Sequence, residues 1–144
     1  MILDAQNMFS DAQAVTATAV STNAIDLKAA SIDLGMGEDL YLVVNVDVAM
    51  TDSGSDSTIA VALVTDDNAA LSTATAVQTI GTFAALSAIG SRLVAKIQPG
   101  LTLERYLGVS YTAANGSLTT GSFSAYLTKD IGVIKHYADN ITIS

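Results

Sequence analysis

The chain contains no cysteine and no tryptophan, one proline (Pro99) and one histidine (His136), and no lysine or arginine before Lys28. The missing cysteine excludes a disulfide framework and a thiolate zinc site, and fits assembly in a reducing cytoplasm. A start with no basic residue and no apolar block of about 7–15 residues does not read as a secretory signal. No run approaches the roughly 18 uninterrupted apolar residues that a membrane-spanning helix needs, so no membrane partner is expected. The formal charge of −8 offers no counterion release on DNA or RNA, which speaks against a nucleic-acid partner. With one histidine beside Tyr137 and no G-x-S-x-G elbow, no serine has a base to activate it. These absences predict a protein that is not an enzyme.

What is present is apolar but small. Half of the residues are hydrophobic, many of them alanine, and aromatics make up only 6%. At 144 residues the chain fits one domain, long enough to bury roughly 70% of its unfolded surface. Leu, Ile, Val and the aromatics must form the core, with Ala and Thr filling a thin, closely spaced interior. Charge is uneven: residues 1–67 hold eleven acids against Lys28 alone, whereas residues 68–144 carry a net +2. Such asymmetry serves solubility and can also orient a molecule on a charged surface.

The clearest local pattern runs from Leu40 to Met50. Leu40, Leu42, Val44, Val46, Val48 and Met50 alternate with Tyr41, Val43, Asn45, Asp47 and Ala49. A period of two over this length predicts a half-buried strand. Similar alternation predicts strands over 58–65, 75–83, 91–98, 106–113 and 122–128, with a short one at 25–27. Asp52–Ser57, Asp66–Asn68, Pro99-Gly100 and Asn115-Gly116 punctuate them as turns. Ala84 to Gly90 fits either a helical turn or a strand connection. Seven or eight strands with turns every 8–12 residues and no convincing helix predict an all-β chain, an antiparallel β-sandwich of jelly-roll or immunoglobulin-like type. The expected core is Leu42, Val44, Val46, Val48, Ile59, Val61, Leu63, Leu93, Ile97, Val109, Tyr111, Phe123 and Leu127.

The polar loops offer little chemistry. Asp52/Asp56 and Asp66/Asp67 lie in turns whose spacing fits no EF-hand, and Gly35-Met36-Gly37-Glu38 is too short for a phosphate loop. Two glycosylation sequons, at Asn115 and Asn140, are what chance supplies in so Ser/Thr-rich a chain. No catalytic residue, cofactor or metal is expected.

The ends carry the functional information. Residues 1–27 lack glycine and proline as well as basic residues, and between Phe9 and Ile25 their largest apolar side chains are Val15 and Val20. Such a segment buries too little to offset about 1–2 kcal/mol of backbone entropy per ordered residue. Order there predicts an arm lying on a partner. MILDAQ, the SDAQAVTATAVSTN run and the following IDL, together with KHYADNITI from Lys135 to Ile143, resemble the ends of phage capsid cement (decoration) proteins. The type is the jelly-roll cement protein of short-tailed Bordetella phages. Residues 28–134 match in strand count and low charge rather than in motifs.

The resemblance implies a jelly-roll-like sandwich over residues 24–130, an extended N-terminal arm over 1–23 and a C-terminal tail over 131–144. It implies the phage major capsid protein as partner, and a homodimer with homotrimer as the alternative. It places the chain on the outer surface of the virion, after synthesis in the host bacterial cytoplasm. The outer surface also follows from charge, since a −8 protein facing packaged DNA is repelled. Expected partner contacts are Ile2, Leu3, Met8, Phe9, Ile131, Ile134, His136, Tyr137 and Ile141, set on backbone that adds to exposed strand edges. The rivals are a carbohydrate-binding jelly-roll module, with Tyr41, Tyr106 and Tyr126 as its aromatic platforms, and another virion or receptor-binding protein.

Overall fold

A computed structural model describes residues 5–28 and 39–129. Among the described residues a 3-10 turn, Ala5–Asn7, leads into nine strands: β1 (Met8–Ala14), β2 (Ala19–Val20), β3 (Ile25–Asp26), β4 (Tyr41–Thr51), β5 (Thr58–Asp66), β6 (Thr75–Phe83), β7 (Arg92–Lys96), β8 (Tyr106–Ala114) and β9 (Thr120–Thr128). They form two antiparallel sheets, ordered β1-β9-β4-β7 and β2-β8-β5-β6, with β3 also pairing β8. β2 and β3 are two pieces of one interrupted strand, because Ala19 opposes Tyr111 and Ile25 opposes Leu107 on the same neighbour. Counted so, the chain makes eight passes, and each successive pass lies in one sheet or crosses to the other in jelly-roll order. The expected β-sandwich is the fold observed.

The interior follows from the alternation. Leu42, Val44 and Val46 of β4 meet Phe123, Ala125 and Leu127 of β9 on one inner face. Ile59, Val61, Leu63, Val109 and Tyr111 come from the other sheet. The Phe123 ring lies 5.4 Å from those of both Phe83 and Tyr111, so aromatics from the two sheets close the middle of the core. Leu93 and Ile97 are only half-buried, because β7 is an edge strand.

Val48 departs from expectation, lying on the outside and 49% exposed. Opposite Val46 and Val48 stand the adjacent residues Phe123 and Ser122, so Asp47 is an extra residue in β4. This bulge turns Val48 to the outer face, while Met50 returns to the core.

The arm expected over residues 1–23 is corrected over its described part. β1 is an edge strand of the first sheet, paired from Met8↔Tyr126 to Ala14↔Ser122, and β2 belongs to the second. Phe9 and Val15 lie in the main core. Gln13 holds the segment together: its Nε2 donates to Val20 O at 2.8 Å, and its Oε1 accepts from Thr22 N–H and Ser10 Oγ. Tyr111 Oη donates in turn to Ser10 Oγ at 3.0 Å. A polar, alanine-rich segment is therefore ordered by the sandwich itself. Residues 1–4 and the expected tail over 131–144 lie outside the described residues.

Candidate functional site

Each pass runs from one end of the sandwich to the other, so the connections divide between two ends. One end carries Asp26 to Lys28, the turn 67–74, the crossing 97–105 and the start of β4. The other carries the connections 15–18, 52–57, 84–91 and 115–119. Sequence places charges of both signs at the first end and, apart from Asp52 and Asp56, uncharged and mostly small residues at the second.

At the charged end Arg105 grips Asp26 through Nε and Nη2, at 3.1 and 2.9 Å, and its guanidinium lies 5.0 Å from the centre of the Tyr106 ring. Lys96 meets Asp39 at 2.6 Å. Both pairs are solvent-exposed, so water and salt screen them and they add little to stability. Carboxylate oxygens of Asp66, Asp67 and Glu104 come within 4.8 Å of one another. Asp66 is buried, which pushes its carboxyl up. Thr73 N–H and Oγ1 and Asn68 N–H donate to it and outweigh that cost, so it stays below the usual carboxylate range. Those donors explain Asp66 as the brace of the β5–β6 turn.

The second end has a different character. After Phe83 the chain runs back beside β4: Met50 N–H donates to Ser87 O and Gly90 N–H to Val46 O, both at 2.9 Å. Neither a helix nor a strand forms over 84–90, where sequence left both open. Leu86 holds a left-handed φ of 58°, fixed by Ser87, whose N–H and hydroxyl both donate to Ala84 O. Gly90, at φ 87°, completes the return. Leu86 is 52% exposed and Ile89 71%, beside the outward Val48.

The predicted contact residues scatter. Ile2, Leu3, Ile131, Ile134, His136, Tyr137 and Ile141 lie outside the described residues. Phe9 is fully buried in the core, which corrects its expected role as a partner contact: its side chain fills the sandwich. Met8 is half-buried on the outer face of the first sheet. There it heads a cross-strand row, Met8–Tyr126–Val43–Val94, that spans all four strands. Of the tyrosines considered as sugar platforms, Tyr126 is buried in that row, while Tyr41 and Tyr106 are half-buried. That disfavours a glycan site built on these rings.

Leu86 and Ile89 were missed because an apolar stretch without alternation gives no face to assign. The signal available was the absence of any charge over 83–91.

No curated protein matches the chain. The family described as Bbp16 matches residues 9–127, from the first core aromatic in β1 to the last core leucine in β9. That match covers nearly the whole sandwich, and the chain belongs to the Bbp16 family, whose name points to a Bordetella phage protein.

Proposed function

We propose that the protein is a capsid cement protein, which binds the outside of the phage major capsid shell and staples adjacent subunits against the pressure of packaged DNA. The family match over residues 9–127 carries this reading, because its name points to a phage protein. The resemblance of both ends to cement proteins narrows it to decoration. The fold supplies the needed mechanics. A closed core with strands tied from first to last gives a rigid body whose loops can touch separate subunits. A net charge of −8 favours the face of the shell away from DNA. Self-association as a homodimer, or alternatively a homotrimer, would let one particle grip several subunits by avidity.

The test uses the full chain with isolated capsids of its phage, both before and after expansion. Co-sedimentation with capsids is expected, together with loss of DNA at lower temperature from particles that lack the protein. Failure to bind either capsid form removes the cement reading. Mass measurement on decorated capsids is expected to give a dimer, and an isolated monomer on each capsomer contradicts the avidity component.

A further inference from the structure

Among the described residues four large apolar side chains are exposed, and three of them, Val48, Leu86 and Ile89, belong to the stretch of β4 and the 84–91 loop that backbone bonds hold side by side at one corner of the second end. The fourth, Leu103, lies at the charged end. We propose that this corner is the surface that docks on the shell, and that its seat there is an apolar pocket edged by lysine or arginine side chains. This inference rests on the cement reading above and specifies its contact.

Three observations lead to it. Of the nine expected contacts Phe9 is occupied in the core, Met8 is half-buried in the outer row of the first sheet and the other seven lie outside the described residues, so a described anchor is sought elsewhere. The loop is also presented with care. A leucine at φ 58° is an uncommon conformation, held by Ser87 bonds to Ala84 O and by the bonds to β4, so its tip enters a contact already ordered. Exposed apolar residues scattered singly are ordinary, whereas three carried on adjoining, mutually bonded segments offer a patch suited to a contact.

Charge identifies the occupant. The four connections at this end contain Asp52 and Asp56 and neither lysine nor arginine. The nearest cation in sequence is Arg92, whose Nε donates to Asn45 Oδ1 at 2.7 Å on the outer face of the sheet. A second copy meeting this end with its own would bring two pairs of aspartates together and gain no opposite charge. A pocket with a cationic rim complements both features.

The experiment measures capsid binding by the full chain carrying Leu86→Gly with Ile89→Ser. Glycine accepts the left-handed φ and Ile89 is mostly exposed, so melting close to wild type is expected. Affinity for capsids should fall by about tenfold or more if these side chains are the central contacts. Asp56→Lys should also bind more weakly, most visibly at low salt. If the double variant melts early, Ile89→Ser alone supplies the comparison. Wild-type occupancy by the apolar variants overturns the docking corner but leaves the cement reading intact. Unchanged or tighter binding of Asp56→Lys overturns the cationic rim. Conversion of a wild-type dimer to monomer by the double variant overturns the proposal in favour of a contact between copies. A wild-type chain that ignores capsids overturns both readings together.

Discussion

Tyr111 sets a phenol in the middle of an otherwise apolar core. Burial pushes its pKa up to about 12 from an ordinary 10.0, against the opposing effect of its hydrogen bond to Ser10. Below pH 10 both folded and unfolded chains keep the proton and the core has its full stability. Above that the unfolded chain loses it first, so stability declines until the folded pKa is reached, by about 3 kcal/mol for a displacement of this size. Denaturant midpoints should therefore drop between about pH 10 and 12 in the wild type, and drop less in Tyr111→Phe. β4 offers a second residue-level contrast. Val46→Asp buries an unpaired charge at a cost of several kcal/mol against a total of about 5–15, and should leave no cooperative melt. Val48→Asp, two residues on, should melt near wild type because Val48 faces outward. Alternation in the sequence sided Leu42, Val44 and Val46 correctly because period two is the geometry of a strand. It could not side Val48, because the bulge at Asp47 arises from pairing with β9, a partner not visible in the local pattern.

At the scale of elements, the long strands were legible and the first was not. β1 carries register shifts between Met8 and Ser10 and between Ser10 and Gln13, and Ala12 sits at φ 45°. Phe9 and Ser10 are consequently both buried, and the alternation that announces a strand is erased. Its cohesion comes instead from cross-sheet hydrogen bonds centred on Gln13, which composition does not reveal. Deleting residues 1–20 is therefore expected to unfold the sandwich, not merely detach an arm, since it removes an edge strand, Phe9 and Val15. Loss of cooperative melting in the truncated chain checks this, and a wild-type melt contradicts it. Gln13→Ala should cost about 1–3 kcal/mol through the groups it leaves unpaired. The 84–90 loop was legible only as an ambiguity, because its shape is set by hydrogen bonds to β4 and not by its own sequence.

For the whole molecule, the charge imbalance between sequence halves is not an imbalance between ends, since each pass carries the chain from one end to the other and described carboxylates stand at both. The acid limb of stability draws on both. The Arg105 hydrogen bond lowers Asp26, the Ser57 hydroxyl lowers Asp52, and the Thr73 and Asn68 donors lower Asp66 in spite of its burial. Each contributes fully above the ordinary carboxylate pKa of 3.8 and is lost as pH falls through its lower folded value, so melting temperature should decline below about pH 4. A far-UV spectrum should show helix in well under about a fifth of residues. The pairing of β1 with β9 has a consequence in time. Ala12 and Ser124, joined by a hydrogen bond, stand 112 residues apart. A ribosome adding about 5–20 residues per second needs about six seconds at its fastest to make that interval. Throughout, β1 has no neighbour in its own sheet, and Phe9 waits without that cover until β9 is made. An arrest of synthesis before Thr120 is expected to leave a product unable to close its first sheet and open to proteolysis.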